Sequence, residues 1–204
     1  MNNSIDLVIK MGARYNANLF FSSYERRPFS SYDFLSSTEE GIFRYHHSDT
    51  QNIFKHFLNK EEFSIQSKFT IPTELNKEFH FAFLDFDCKI NDKNENTIWN
   101  ACKNIDENCF LYNSGNSYYA YFPSLMFSKQ EYFDWITQCI KIPEIDKKWA
   151  KCVFENGYGK LRLNKNKWKH KVPTLLRSLS IGNLSLFDAL TCGALSLIRE
   201  KNEF

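Results

Sequence analysis

The chain has 204 residues, a mass of 24.2 kDa and a formal net charge of +2, and 43% of its residues are hydrophobic. This length suits one domain, and this composition excludes disordered and fibrous proteins because it provides enough apolar surface to bury a core. No apolar run reaches the roughly 18 residues of a membrane span, and the first residues lack the basic-then-apolar layout of a signal peptide. We therefore expect a single cytoplasmic domain over residues 1–204, with no membrane partner.

Hydrophobic periodicity predicts helices and strands in alternation along the first third of the chain. In order, the pattern indicates a helix over residues 5–22, a loop that carries Arg26 and Arg27, a short strand over 43–45, a helix over 50–58 capped by Asp49, and a strand over 63–71.

The next strand is the strongest element of the pattern. Residues 79–87 are apolar almost throughout, which predicts a central strand buried on both faces. Downstream, the pattern indicates a helix over 96–105, paired strands over 109–113 and 118–122, a helix over 130–140, a strand over 158–163 and a closing helix over 184–199. Strands that alternate with helices predict an α/β or α+β domain.

The predicted central strand ends on two aspartates, Asp85 and Asp87, which are separated by one residue. Side chains two residues apart in a strand point to the same face, so we expect the two carboxylates to lie close together. They repel each other unless a cation lies between them, and oxygen-only ligands suit Mg²⁺ or Mn²⁺. Such a pair is typical of the metal sites that assist phosphoryl transfer. The alternative is a solvated strand end whose charges only aid solubility.

Further along, residues 114–117 read S-G-N-S and predict a turn before an alternating strand. A serine hydroxyl and the backbone N–H groups of a glycine turn can form an anion-binding nest. The alternative is an ordinary hairpin with surface tyrosines.

A span without acidic residues runs from residue 156 to residue 187, and its lysines and aromatic rings suit a ligand rich in phosphate. Within it, Arg162 lies inside a short apolar strand, and Lys160 precedes it by two residues on the same face. A cation on a sheet face needs an anion, which is either a carboxylate or a phosphate. The alternative is a solvated basic loop.

The six cysteines include no C-x-x-C pair. In a chain without a secretory signal, this spacing favours reduced and mostly buried thiols over a structural zinc site.

The order of the motifs resembles the archaeo-eukaryotic primase superfamily. In that family the first motif reads hydrophobic-D-hydrophobic-D, matched by L-D-F-D at residues 84–87. The second reads S-G-x-G-h-H, matched by residues 114–119 with Tyr119 in place of the histidine. The third is a hydrophobic-Asp pair, matched by residues 145–146, with residues 154–155 as the fallback. Residues 25–29 and 42–45 also resemble elements of primase small subunits, and the resemblance extends over roughly residues 20–177.

The resemblance implies a primase-polymerase fold, in which a central mixed or antiparallel sheet with an RRM-like half is flanked by helices. It implies a template-dependent nucleotidyltransferase that makes short RNA or DNA primers by two-metal phosphoryl transfer with Mg²⁺ or Mn²⁺. The implied partners are a single-stranded DNA template, NTP or dNTP, and a primase large subunit or a helicase. The implied location is the cytoplasm at the nucleoid, or the nucleus in a eukaryote. The alternative is a degenerate primase-like module that binds nucleic acid without turnover.

The resemblance also implies roles for individual residues. The catalytic metal ligands would be Asp85, Asp87 and Asp146, with Glu155 as the fallback for the last. The nucleotide would contact Ser114, Gly115, Asn116, Tyr119, Lys160 and Arg162. The nucleic acid would contact Arg27, Arg44, Lys165, Lys167, Trp168 and Lys169.

Overall fold

The computed structural model describes residues 4–25, 38–59, 62–75, 77–164 and 171–179. These residues form α1 (Ser4–Arg14), β1 (Asn18–Glu25), β2 (Thr38–His46), α2 (Thr50–Asn59), β3 (Phe63–Ile71), a 3-10 turn (Pro72–Glu74), β4 (Lys77–Asp85), α3 (Asp92–Ile105), β5 (Cys109–Asn113), β6 (Tyr118–Phe127), α4 (Lys129–Cys139), α5 (Lys147–Asn156), β7 (Lys160–Arg162) and β8 (Thr174–Leu179). The strands join one antiparallel sheet, so the predicted α+β class is confirmed.

β4 lies in the middle of the sheet, whose order is β2-β1-β3-β4-β6-β5-β8. Residues 79–84 of β4 are all buried. A strand covered on both faces has no reason to alternate polar with apolar residues, which explains why this segment is apolar almost throughout. The prediction of a central buried strand is confirmed.

β3 pairs with two different strands along one edge. Residues 68–71 pair with β4, whereas residues 64–66 pair with β7. From residue 81 onward, β4 pairs only with β6 among the described strands. The sheet therefore divides at this point, because β3 continues beside β7 while β4 continues beside β6. The candidate site lies at this division.

Aromatic contacts hold the helices against the sheet. The ring of Tyr132 on α4 stacks on His80 of β4, with 4.7 Å between centroids. Tyr15, just after α1, stacks on Phe69 of β3 at 5.6 Å. A capping box between Ser128 and Glu131 begins α4. Among the described helices, none has both the length and the apolar character needed to cross a membrane.

The first helix is shorter than predicted. α1 ends at Arg14, and β1 begins at Asn18, so the prediction of a helix over residues 5–22 is wrong in its second half. Leu19 and Phe21 are fully buried at positions two apart, which suits a strand face. Pairing of β1 with both β2 and β3 decides the conformation of this segment.

Two further elements, α5 and β8, are not predicted by the pattern. Gly157, at φ 83°, ends α5 in the left-handed conformation that commonly closes a helix. β8 lies at the edge of the sheet beside β5, and its half-exposed side chains lack a clear apolar alternation. The predicted closing helix over residues 184–199 lies outside the described residues.

Candidate active site

The first and third predicted motifs lie side by side, although they are far apart in the sequence. Phe86 lies opposite Ile145 in an antiparallel bridge, and the N–H of Asp146 donates to the carbonyl of Asp85 at 3.0 Å. Phe86 and Ile145 are 1% and 2% exposed. Because side chains alternate along both segments, Asp85 and Asp146 lie at neighbouring positions on the face opposite this buried pair.

A fourth acidic residue, Glu144, belongs to the same face and is missing from the predicted site. The N–H of Asp87 donates to the carbonyl of Glu144 at 2.8 Å, which sets the two residues opposite each other. Burial raises the pKa of the neighbouring Cys88 thiol, and the carboxylates of Glu144 and Asp87 raise it further. A signal was present in the sequence: E-I-D at residues 144–146 repeats the acid-apolar-acid order of D-F-D.

Asp146 has a second role as the N-cap of α5. Its carboxylate accepts from the N–H of Lys148 at 2.8 Å and from the N–H of Trp149 at 3.1 Å. This contact directs the carboxylate toward the helix. Within the described part of the chain, no three His, Cys, Asp or Glu side chains are grouped so that they could hold one metal ion.

The fallback residue Glu155 lies elsewhere. It is exposed on α5 and pairs with Lys151 of the same helix at 3.6 Å. An exposed i,i+4 pair of this kind contributes little to stability. The backbone bond between Asp146 and Asp85 therefore favours Asp146 over Glu155 as the third acid.

The acidic face suits a hard divalent cation in the kind of ligand that it offers. Asp85, Asp87, Glu144 and Asp146 offer only carboxylate oxygens, which Mg²⁺ and Mn²⁺ prefer. Opposite positions on paired strands hold their Cβ atoms about 4.5–5.5 Å apart, so carboxylates there can reach one ion after rotating about their side-chain torsions. Such a rotation is needed to complete a set of ligands.

The hydroxyl of Ser117 ties the Ser-Gly turn to the first motif. It donates to the carbonyl of Phe86 and accepts from the N–H of Cys88 at 3.2 Å. The N–H of Phe86 also donates to the carbonyl of Tyr118 at 3.1 Å. The first and second motifs are thereby held as one unit around Asp87.

Inside this turn, two of the N–H groups predicted to bind nucleotide already have acceptors. The N–H of Ser114 donates to the carbonyl of Ser117 at 2.9 Å, and the N–H of Gly115 donates to the side-chain oxygen of Asn113 at 2.8 Å. Gly115 has φ 104°, a conformation that requires glycine. Asn116 is exposed at the tip of the turn, whereas Ser114 is fully buried.

Arg162 is a buried cation at the division of the sheet. It is 5% exposed, and its guanidinium donates to the main-chain carbonyls of Ser114, Asn164 and Lys171. It forms no salt bridge with a described acidic residue, and its Nε–H has no acceptor among the described residues. Because a buried charge without a counter-ion is unfavourable, an anion such as phosphate is a suitable partner.

Tyr119 connects Arg162 with the acidic face. It lies opposite Asp85 in the register of β4 and β6 and is 3% exposed. Burial raises the pKa of its phenol, the charge of Asp85 raises it further, and Arg162 opposes this shift. The phenol is therefore neutral and can donate a hydrogen bond at the position where the superfamily has histidine.

Two of the remaining predicted binding residues are described. Lys160 is half-buried on β7, two residues before Arg162, and its carbonyl accepts from the indole N–H of Trp149 at 3.0 Å. Arg44 is exposed on β2, and its guanidinium donates to the hydroxyl of Thr70 at 3.3 Å. The other predicted residues, Arg27, Lys165, Lys167, Trp168 and Lys169, lie outside the described residues.

The described cysteines are free thiols, and Cys102, Cys109 and Cys139 are buried in the core. Burial, and after it the charge of Asp106, raises the pKa of Cys109 to about 11. A thiol that stays protonated at neutral pH is a poor nucleophile and a poor metal ligand, so these residues serve as apolar core.

A protein-family model described as archaeo-eukaryotic primase 1D-like (AEP-like) matches residues 45–174, more than half of the chain. The matched residues include the D-F-D segment, the Ser-Gly turn, the E-I-D segment and β7. No curated protein and no solved structure matches the chain. By its sequence and by this arrangement of motifs, the chain belongs to the archaeo-eukaryotic primase 1D-like family, a family of primase-related nucleotidyltransferases.

Proposed function

We propose that this chain is a DNA primase, a template-dependent nucleotidyltransferase that joins nucleotides into short RNA or DNA primers on single-stranded DNA. The bridge between Phe86 and Ile145 is the observation that carries the proposal. It sets the carboxylate positions of both acidic motifs on one face, as a metal-assisted phosphoryl transfer requires. Arg162 adds a buried cation that lies close to Tyr119 and forms no salt bridge with a described acidic residue.

In this proposal Asp85, Asp87 and Asp146 would hold Mg²⁺ or Mn²⁺, and Glu144 would support them from the position opposite Asp87. A bound divalent cation supplies charge neutralisation for the phosphate oxygens and for the pyrophosphate that leaves. Carboxylates that share one face repel each other, and this repulsion favours the binding of a cation.

The triphosphate of the NTP or dNTP would lie between the acidic face and Arg162. The Nε–H of Arg162 would donate a charge-assisted hydrogen bond to a phosphate oxygen. Lys160 would add a second positive charge from the same strand, and the phenol of Tyr119 would donate a neutral hydrogen bond. The turn at residues 114–116 would border the phosphates, with Asn116 as its most exposed side chain.

The proposal extends to partners and location. The template would be single-stranded DNA, and a primase large subunit or a helicase would work with the chain. The protein would act in the cytoplasm at the nucleoid, or in the nucleus of a eukaryote.

A second candidate function is the binding of nucleic acid without turnover. Two observations favour it: the carboxylate of Asp146 is engaged as a helix cap, and Tyr119 replaces the histidine of the superfamily motif. A domain of this kind would keep its cations and would not use its acidic face for synthesis.

Primer synthesis by the purified chain tests the proposal. The assay supplies a single-stranded DNA template, labelled NTP or dNTP, and Mg²⁺ or Mn²⁺. We expect Asp85→Asn and Asp87→Asn to lower nucleotide incorporation by several orders of magnitude while circular dichroism stays unchanged, because only the metal-binding charge is removed. Asp134→Asn, which neutralises an exposed aspartate on α4, is the matched control and should keep full activity.

Near-normal incorporation by either site variant would show that the acidic face is not the metal platform. A wild-type chain that binds single-stranded DNA tightly and incorporates no nucleotide with either metal would favour the second candidate function.

A further inference from the structure

Five side chains form a continuous row of alternating cations and aromatic rings on the sheet. The guanidinium of Arg44 lies 5.7 Å from the ring centre of Phe20, and the ammonium of Lys68 lies 5.1 Å from the same ring. Lys68 is also 4.5 Å from the ring centre of Tyr158, and the ammonium of Lys160 is 5.1 Å from that ring. These distances are within the range of cation–π attraction. We call this row the cation–aromatic stripe.

The stripe crosses the half of the sheet that contains β7. Arg44 lies opposite Phe20 in the register of β2 and β1, Lys68 belongs to β3, and Lys160 begins β7. With about 4.8 Å between neighbouring strands, the row is on the order of 15 Å long. It ends two residues from Arg162, so it leads from the outer strand β2 to the candidate active site.

Solvent reaches every member of the stripe. Arg44 is exposed, whereas Phe20, Lys68, Tyr158 and Lys160 are half-buried. Lys68 forms no salt bridge with a described acidic residue, and its ammonium lies between two rings. The row brings three positive charges and two aromatic rings together on a surface that solvent reaches.

We propose that the cation–aromatic stripe is a binding platform for single-stranded nucleic acid. When the Lys68 side chain moves from between the two rings to a phosphate, one face of Phe20 and one face of Tyr158 become open to bases. Bases would stack on these faces, and phosphates would contact Arg44, Lys68 and Lys160, which is how proteins bind single strands without reading their sequence. A DNA duplex fits less well because its bases are already stacked on each other. The assignment of the strand as the template rests on the proposed function, since the stripe leads toward the site where a new nucleotide would pair.

Binding of fluorescein-labelled oligothymidylate to the full chain, measured by fluorescence anisotropy in EDTA, tests this inference without turnover. We expect Tyr158→Ala to weaken binding about tenfold through lost stacking and to leave the salt dependence unchanged. Tyr158→Phe, which keeps the ring, should bind like the wild type. Lys68→Gln should lower the slope of log affinity against log salt by about one, because one phosphate contact is lost.

Lys103→Gln, which neutralises an exposed lysine on α3, is the matched control and should change neither quantity. Thermal unfolding of each variant checks that the fold is kept. Unchanged affinity in both Tyr158→Ala and Lys68→Gln would overturn the inference. An equal loss of affinity for duplex DNA in these variants would also overturn it, because the platform would then not select single strands.

The same samples separate this inference from the proposed function. Asp85→Asn should bind the oligonucleotide normally even though it makes no primer. If the wild-type chain makes no primer and the stripe variants still lose oligonucleotide affinity, the stripe binds single strands and the proposed primer synthesis is wrong. If the wild-type chain makes primers and the stripe variants bind and synthesise normally, primer synthesis is supported and the stripe is not the binding platform.

Discussion

At the scale of single residues, Asp146 combines a structural role with the proposed catalytic one. Its carboxylate caps α5 by accepting from the N–H of Lys148 and Trp149, and its backbone N–H donates to the carbonyl of Asp85. The cap needs an oxygen acceptor, whereas a metal site needs a negative charge. Asparagine provides the first and lacks the second, so one substitution can separate the two roles.

We expect Asp146→Asn to abolish primer synthesis while the free energy of unfolding stays close to that of the wild type, since aspartate and asparagine cap helices about equally well. Asp146→Ala should lose synthesis and also about 1 kcal/mol of stability. Denaturant unfolding and the primer assay on the same samples measure both effects. Glu155→Gln is the control and should keep normal synthesis. If Glu155→Gln lost synthesis and Asp146→Asn kept it, Glu155 would be the third metal ligand instead of Asp146.

At the scale of elements, the short link between α5 and β7 places Arg162. Gly157 ends α5, and Gly159 exchanges two hydrogen bonds with Ser67 of β3: its carbonyl accepts from the Ser67 N–H at 2.8 Å, and its N–H donates to the Ser67 hydroxyl at 3.0 Å. A Cβ atom at Gly159 would lie 2.6 Å from the hydroxyl of Tyr132 and 2.9 Å from the ring of Trp149. Glycine is required there because two helices approach the backbone of the link.

Gly159→Ala should therefore lower the free energy of unfolding by roughly 1–3 kcal/mol, the cost of overpacking a core. Because the strain falls next to β7, we also expect weaker nucleotide binding. The double variant Gly159→Ala, Tyr132→Phe should recover part of the stability, since it removes the nearest clashing atom. Thermal and denaturant unfolding measure this coupling, and a Gly159→Ala variant as stable as the wild type would show that the link has room to move.

At the scale of the whole molecule, the interior histidine His80 makes global stability depend on pH. It is fully buried, its Nδ1 lies 3.1 Å from the hydroxyl of Ser67, and its Nε2 lies 3.3 Å from the carboxylate of Glu78. Burial lowers the pKa of His80 to about 4; Glu78 opposes this shift, and the charges of Lys129 and Lys68 add to it.

Between pH 6.5 and 4 the unfolded chain binds a proton at His80 that the folded chain does not bind, because a histidine in an unfolded chain has a pKa of about 6.5. The contribution of His80 to stability is therefore fully present above pH 6.5 and is lost as the pH falls toward 4. The protonation of His80 in the unfolded chain should make the wild-type protein roughly 2 kcal/mol less stable at pH 5 than at pH 7.5.

His80→Phe keeps a ring that can stack on Tyr132 and removes the titrating group, so we expect it to lose this part of the pH dependence. Denaturant unfolding at the two pH values measures the difference, and the acidic residues common to both chains cancel in the comparison. The same change in stability between pH 7.5 and pH 5 in both chains would show that His80 does not bind the proton.

The sequence by itself determined the parts of the protein that depend on local pattern. Residues 79–87, which are apolar almost throughout, predicted the central strand, and β3 and β5 have the predicted bounds. Alternation along one strand predicted that Asp85 and Asp87 lie on one face. The position of Arg162 inside an apolar strand predicted that its charge needs a partner.

Only the tertiary structure decided which segments lie side by side. Glu144 lies on the acidic face because Phe86 pairs with Ile145. Phe20, Lys68 and Tyr158 form one row because β1, β3 and the link before β7 lie side by side. The pattern predicts helix at residues 18–22, but these residues lie in β1. The strand forms there because β2 pairs with one of its edges and β3 with the other. The local sequence pattern does not predict which strands pair. Strand pairing depends on contacts between residues that are remote in the sequence and that together bury the core.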